Sequence, residues 1–206
     1  MVYLPSHFTE TREDVLLDHI DQHDFALLVT SGGGLIASQV PFLTEHRHEK
    51  LYLLGHLARP NPQAAELDGV EVMVIFPGPH AYISPGWYAA GPAVPTWNYA
   101  TVHAYGEARV IADRDWLAGL LRRLSDRHES RETTPWQMQD LPEAFLSGML
   151  GGIVGFEIAV SRLEGKFKLS QNRPAIDRPR IIAALEARDD ADSHGVARLM
   201  KEREKG

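Results

Sequence analysis

The sequence contains no cysteine, which excludes disulfide bonds, thiolate catalysis and metal centres with cysteine ligands. It also contains no apolar run of about 18 residues, so we expect no transmembrane helix. No basic stretch followed by an apolar core is found near the first residue, so we expect no secretory signal. Together these absences predict a cytoplasmic protein.

Positive charge is also scarce, because 28 Asp and Glu residues outnumber 21 Lys and Arg residues and give a net charge of -7. A large surface that neutralises DNA phosphates is therefore not expected. The densest basic segment contains Arg122, Arg123, Arg127 and Arg131, but acidic residues interrupt it. We interpret this segment as the solvated face of a helix, so direct DNA binding is doubtful.

Several catalytic motifs are missing as well. There is no G-x-S-x-G sequence for a hydrolase nucleophile and no G-x-x-x-x-G-K-[ST] phosphate loop. The glycine-rich residues 148–155 precede a predicted strand, whereas a dinucleotide-binding turn follows one. His46 and His48 lie in a charged segment without convergent ligands, so no metal site is predicted.

Apolar runs separated by turn residues predict a mainly antiparallel β-sheet. A strand over residues 25–30 is followed by a glycine turn and a returning strand over residues 35–43, in which Pro41 indicates a sheet edge or a bulge. Residues 45–49 are predicted as a polar turn. The remaining strands are predicted at residues 50–54, 70–76, 101–111 and 153–160.

Helices are predicted around this sheet at residues 11–22, 115–125 and 142–149, and from about residues 177 and 192 onwards. Because turns join successive strands, we expect an α+β fold, a small closed barrel with peripheral helices. The predicted organisation is one barrel domain over residues 1–176 and a helical appendage over residues 177–206.

Two segments are richer in aromatic and hydrogen-bonding side chains than a core requires. Residues 94–103 contain Trp97, Asn98 and Tyr99 after a proline-rich loop, and residues 166–173 end in four polar side chains. Planar aromatics beside amide and cationic donors can hold a flat anionic cofactor. The alternative is that the aromatics anchor a long loop and that the second segment is a solvated strand end.

A third polar segment, residues 55–61, follows a predicted strand. Arg59 offers a bidentate fork for a phosphate group, and His56 and Asn61 add hydrogen-bond donors nearby. Prolines on both sides of Asn61 restrict the backbone. Either this segment binds a phosphate, or it is a surface turn that carries an incidental arginine.

These segments, together with residues 1–8 and 76–85, resemble the PaiB family of flavin-binding proteins, often called FMN-binding negative transcriptional regulators. The motifs follow one another from the first residue to Arg173, so the resemblance covers nearly the whole chain. It implies the split-barrel fold shared with pyridoxamine phosphate oxidase-like flavoproteins, a homodimer, and FMN bound between the two subunits. Some split-barrel relatives bind haem, which is the alternative cofactor.

The resemblance also implies a site. The FMN phosphate is expected near Arg59, the flavin ring near residues 37–42 and Trp97, and the end of the last strand near a flavin that the partner subunit mainly binds. The implied cofactor-binding residues are Ser38, Val40, His56, Ala58, Arg59, Asn61, Trp97, Asn98, Tyr99, Lys168, Gln171 and Asn172. No catalytic acid or base stands out, so the expected chemistry is electron or hydride transfer by the flavin itself. The alternative function is transcriptional repression, direct or through a partner.

Overall fold

The computed structural model describes residues 2–89 and 91–204, and over these residues eight strands form one antiparallel sheet. The strands are β1 (Thr9–Glu10), β2 (Phe25–Thr30), β3 (Ile36–Pro41), β4 (Leu43–Arg47), β5 (Lys50–Ala58), β6 (Val70–Ile83), β7 (Thr96–Ile111) and β8 (Ile153–Lys168). Their order is β3-β2-β6-β7-β8-β5-β4, and β1 pairs with β8. This curled half-barrel sheet with flanking helices confirms the predicted fold class, the split barrel.

The helices are α1 (Glu13–Gln22), α2 (Pro62–Ala65), α3 (Arg114–Glu129), α4 (Glu143–Gly151), α5 (Asp177–Glu186) and α6 (Ala191–Glu204). Short 3₁₀ turns lie at Ser6–Phe8, Pro85–Trp87 and Met138–Asp140. In the part of the chain that the structure describes, no helix combines the length and the apolar character needed to cross a bilayer.

The chain divides into two compact units. The first unit comprises Met1–His19, Pro77–His103 and Glu164–Gly206, and the second comprises Ile20–Phe76 and Ala104–Leu163. Strands β6, β7 and β8 each contribute residues to both units. The predicted division into a barrel domain over residues 1–176 and a helical appendage over residues 177–206 stays a prediction.

Buried aromatic rings organise the second unit. Phe42 packs edge-on against Phe76 and Phe156, with ring centroids 5.8 and 6.1 Å apart. Gly55 allows β3 and β5 to approach, because a Cβ at this position would lie 2.8 Å from Phe156 Cζ and 3.2 Å from Val40 Cγ1. Since β3 and β5 lie near opposite ends of the strand order, their packing curls the sheet.

Helix α3 packs on the same unit. The carboxylate of Asp113 caps its first turn by accepting hydrogen bonds from Asp115 N at 2.8 Å and Trp116 N at 3.1 Å. The apolar face predicted from the sequence is present. Leu120 and Leu124 of this face form a buried cluster with Leu43 of β4 and Leu54 of β5.

The buried carboxylate of Glu10 connects elements of the first unit. Glu10 Oε2 accepts hydrogen bonds from Arg12 Nη2 at 2.9 Å and from Arg203 Nη2 at 2.6 Å. Burial raises the pKa of Glu10, but the hydrogen bonds from Arg12 and the charges of Arg203 and Arg12 outweigh it and leave the pKa below its ordinary value. The last helix, α6, is thereby tied to β1.

Three predicted boundaries in the second unit are wrong. The returning strand does not run to residue 43, because β3 ends at Pro41 and Leu43 begins β4. Residues 45–49 are not all turn, because β4 continues to Arg47, which pairs with Lys50, and the turn consists of His48 and Glu49. Strand β5 does not end at residue 54, because β8 pairs with it as far as Ala58. Polar residues at exposed strand positions resemble turn residues in sequence, so the sequence pattern stops too early.

Candidate cofactor site

Arg59 follows β5, and the backbone at the end of α4 and the start of β8 holds its guanidinium. Its Nε donates to Gly151 O at 2.8 Å and its Nη2 donates to Ile153 O at 2.9 Å. The side chain is exposed, and no described residue accepts a hydrogen bond from Nη1. The guanidinium is therefore fixed in position with donors to spare, which is the arrangement that suits a phosphate oxygen.

Asn61 connects this segment to α2 and to β3. Its Oδ1 accepts a hydrogen bond from Gln63 N at 3.0 Å as the N-cap of α2, and its Nδ2 donates to Ser38 Oγ at 2.9 Å. Gln63 is fully buried and donates to Leu28 O and Thr30 Oγ1, each at 3.2 Å. Asn61 thus holds the loop, while the Ser38 hydroxyl donates to no acceptor within the described ranges.

His56 and Ala58 share one face of β5, because they are two residues apart on a strand. Nδ1 of His56 is buried and has no hydrogen-bond partner among the described residues. Burial lowers the pKa of His56, so the imidazole is mainly neutral at neutral pH.

Val40 lies on β3, the strand at one end of the sheet order, which confirms the edge predicted from Pro41. Its side chain is buried at 1% exposure and faces Gly55. Only the backbone of Val40 is therefore available to a cofactor, as an edge strand offers.

The other predicted residues lie in the first unit, where Lys168 ends β8. Its Nζ donates to Trp97 O at 2.6 Å and to Thr96 Oγ1. Burial, together with the charges of Lys166 and Arg173, lowers the pKa of Lys168. The ammonium group is directed at the start of β7.

Asn98 and Gln171 also direct their polar atoms at the chain itself. Asn98 is fully buried, and its Nδ2 donates to Ser170 Oγ at 2.9 Å. Gln171 Oε1 accepts from Leu169 N at 2.7 Å, and its Nε2 donates to Phe167 O. Both side chains therefore stabilise the segment after β8 rather than face outward.

Sequence reasoning missed Thr96 and Ser170, which hold this region together. Ser170 has a φ of 63°, a left-handed conformation that residues other than glycine seldom adopt. Each hydroxyl meets a partner 72 positions away in the sequence, Lys168 for Thr96 and Asn98 for Ser170. A serine or threonine beside predicted site residues was the only sequence signal, and it is too common to identify them.

An exposed aromatic face, formed by His80, Tyr82 and Trp97, lies on the same unit. The ring centroids of Tyr82 and His80 are 5.9 and 6.1 Å from that of Trp97. Trp97 is 53% exposed and Tyr82 is 38% exposed. By contrast, Tyr99 is half-buried, with Lys166 Nζ 5.5 Å from its ring centroid. Asn172 is exposed as well.

Two of the four arginines of the basic segment form ion pairs within the second unit, and Arg131 lies beyond the end of α3 at Glu129. Arg123 Nη1 donates to Glu45 Oε2 at 2.5 Å, and Arg127 Nε lies 2.9 Å from Asp24 Oδ2. These ion pairs support the interpretation of the segment as a helix face rather than a surface for nucleic-acid phosphates.

The half-barrel sheet with flanking helices is that of a split-barrel protein. Residues 2–162 match the family model described as "Putative FMN-binding domain". The chain belongs to this FMN-binding family, and FMN is the cofactor of its domain. The cofactor expected from the sequence is thereby confirmed.

Relatives agree with this assignment. The chain is 34% identical over 204 residues to "Protease synthase and sporulation protein PAI 2" of Bacillus subtilis, covering 98% of both chains, which confirms the resemblance to the PaiB family. It is 30% identical over 254 residues to an uncharacterized protein of Aspergillus fumigatus, covering 98% of this chain and 97% of the relative.

Two solved structures share the fold. The FAD and heme binding protein from Mycobacterium smegmatis has a TM-score of 0.55 at 18% identity, covering 78% of this chain and 73% of the other. The flavocytochrome Anf3 from Azotobacter vinelandii has a TM-score of 0.55 at 13% identity, covering 78% and 69%. At these identities the likeness shows the fold alone.

Three groups of the second unit fit the polar parts of FMN. Arg59 presents a fixed cationic donor that suits the phosphate. Nδ1 of His56 and the Ser38 hydroxyl are polar groups whose hydrogen-bonding capacity is not filled by the described residues. Hydroxyl, carbonyl and ring-nitrogen groups of FMN can fill it.

Proposed function

We propose that this protein holds FMN at the interface of a homodimer and uses it for electron or hydride transfer. The observation that carries the proposal is the exposed Arg59 guanidinium, fixed by two backbone carbonyls with Nη1 left over. Arg59 binds the phosphate, while Ser38, His56 and the backbone of β3 bind the rest of the cofactor. Asn61 keeps Ser38 and the loop in place.

The group around Lys168 serves the flavin that a second copy of the chain chiefly binds. Trp97 packs its ring near that flavin, and Lys168 fixes the Trp97 backbone. Asn98 and Gln171 act as positioning residues because their polar atoms are already bonded within the chain. The exposed aromatic face supports a dimer, since monomers rarely leave such rings uncovered together.

When bound, FMN supplies the redox chemistry, since its ring accepts electrons or a hydride. Reduction adds negative charge to the flavin, and a nearby cation stabilises the reduced form. Lys168 is the residue of this chain that we assign to this role.

The test is the absorbance spectrum of the purified protein after FMN addition and desalting, with sedimentation velocity on the same sample. We expect retained flavin bands, a dimer, and bleaching on anaerobic addition of NADH or NADPH. A flavin-loaded monomer contradicts the interface, and a flavin that neither nucleotide reduces contradicts the redox role. A Soret band in place of the flavin bands would assign haem instead.

A second proposed function is regulation of gene expression, because the name of the 34% identical relative refers to protease synthase and sporulation. The ion pairs of Arg123 and Arg127 argue that such regulation acts through a protein partner or the flavin's redox state. Tight, salt-sensitive binding of a promoter fragment by the purified protein would overturn this indirect route.

A further inference from the structure

A cavity that is lined by none of the residues assigned to FMN lies within the second unit. It has a volume of about 560 Å³ and opens between α3, the ends of β4 and β7, and β8. Its apolar wall consists of Leu54, Ile111, Trp116 and Leu120. This size falls in the range of about 300–1,000 Å³ that small-molecule sites occupy.

The carboxylates in the wall are already neutralised. Arg47 donates to Glu45 Oε1 at 2.5 Å and to Glu157 Oε2 at 2.6 Å. Arg123 donates to the other oxygen of Glu45 at 2.5 Å. Because both oxygens of Glu45 accept from arginines, the acidic residues do not oppose an incoming anion strongly.

Arg109 is different from the other two arginines of the cavity. It is exposed on β7, and its guanidinium has no hydrogen bond, ion pair or ring contact with any residue that the structure describes. Arg123 is also exposed and uses only Nη1 in its ion pair. The wall therefore has an excess of positive charge with guanidinium donors that no group of this unit fills.

The Trp116 ring is held in place beside these cations. A Cβ at Gly155 would lie 2.7 Å from Trp116 Cζ3, so the absence of a side chain at Gly155 makes room for the ring against β8. A fixed indole in the same wall as the unpaired Arg109 and the unused donors of Arg123 suits a ligand with a flat apolar body and an anionic group.

We propose that this cavity binds a small aryl carboxylate or aryl phosphate. The anionic group lies between Arg109 and Arg123, and the aromatic body packs against Trp116 and Ile111. The site is separate from the FMN residues, so the protein can hold the cofactor and this second anion at the same time.

The test is isothermal titration calorimetry of the FMN-loaded full chain with benzoate, phenyl phosphate and neutral benzamide. We expect one of the two anions to bind and benzamide not to bind. The preferred anion distinguishes carboxylate from phosphate ligands. Equal binding of benzamide, or no binding by either anion, overturns the proposal.

Three variants test whether the anion binds in this cavity. Arg109→Ala should weaken anion binding by about tenfold or more, because it removes the unpaired cation. Gly119→Leu should abolish binding, because Gly119 lines the cavity and an added Cβ meets nothing within 4 Å, so leucine can fill the space without a clash. The matched control is Arg122→Ala, an exposed arginine of the same helix outside the cavity, which should leave binding unchanged.

Flavin content of each variant separates this proposal from the proposed function. Arg109→Ala and Gly119→Leu should retain FMN as the wild type does. Loss of FMN in Arg109→Ala would assign the cavity to the flavin and overturn the second site. An unchanged anion affinity in Arg109→Ala, or an equal loss in Arg122→Ala, would also overturn it.

Discussion

The two groups of predicted cofactor residues use their polar atoms in opposite ways. In the second unit, Arg59 is fixed by two backbone carbonyls and still exposes unfilled donors. In the first unit, Lys168, Asn98 and Gln171 direct their polar atoms at neighbouring backbone and side chains. This difference shows that the polar side chains of a motif can either leave donors unfilled for a ligand or form hydrogen bonds that stabilise their own loop. We therefore expect changes in the Arg59 group to act on FMN affinity and changes in the Lys168 group to act mainly on stability.

The largest effect is expected for Arg59→Ala. FMN affinity should fall by about 100-fold, or about 2.7 kcal/mol, because a bidentate contact to the phosphate is lost. The free energy of unfolding should fall by only about 1 kcal/mol, since the two bonds to backbone carbonyls lie at the surface. FMN titration by fluorescence and urea unfolding measure the two quantities, with Arg122→Ala as the control. If Arg59→Ala lowered the free energy of unfolding but left FMN affinity unchanged, Arg59 would belong with the residues that act on stability.

Asn98→Ala should affect stability more than FMN affinity, the opposite of Arg59→Ala. It should lower the free energy of unfolding by about 2 kcal/mol, because the buried Ser170 hydroxyl loses its partner. FMN affinity of the folded fraction should change by less than about threefold. Urea unfolding of the FMN-free protein and FMN titration measure these. A large affinity loss at unchanged stability would show that Asn98 contacts the flavin directly.

Glu10→Gln should destabilise the protein by about 1–2 kcal/mol, because the charge-assisted bonds from Arg12 and Arg203 weaken. The pKa of Glu10 is lowered in the folded state, so its stabilising contribution is present above its ordinary value of 4.5 and is lost as the pH falls through the folded value. Urea midpoints at a series of acidic pH values measure this, and the variant should show a flatter acid limb. If the urea midpoints of the variant fell with decreasing pH as steeply as those of the wild type, the ionised Glu10 would not stabilise the position of α6.

Lys168→Met should have the smallest effect, about 0.5–1 kcal/mol on stability, since it removes bonds to Thr96 and Trp97 but also a partly buried charge. The folded pKa is lowered, so the unfolded chain binds more protons between that value and 10.5, and wild-type stability should rise with pH in that window. The variant should lack this rise. If Lys168 supports reduced flavin, the variant should also lower the flavin reduction potential, which a dye-coupled titration measures.

The sequence predicted the strands of the sheet well, but it did not predict which hydrogen-bond partners the polar side chains have. Alternating apolar residues and glycine turns are local signals, so β2, β3 and the α3 face followed from them. The length of β5 did not, because Ala58 stays in the sheet through its pairing with Ile153 on a distant strand. Likewise nothing near Asn98 in sequence shows that Ser170, 72 positions later, fills its amide. The family motifs predicted both groups, but only the fold shows that Arg59 keeps unfilled donors while Asn98 and Gln171 bond within the chain.

The most direct test compares FMN with riboflavin, which lacks the phosphate. Dissociation constants of both are measured for the wild type and for Arg59→Ala. If Arg59 binds the phosphate, the wild type should prefer FMN by about 100-fold and the variant should lose that preference while its riboflavin affinity stays the same. An FMN preference that survives in Arg59→Ala, or an equal loss of both ligands, would contradict the assignment of Arg59 to the phosphate.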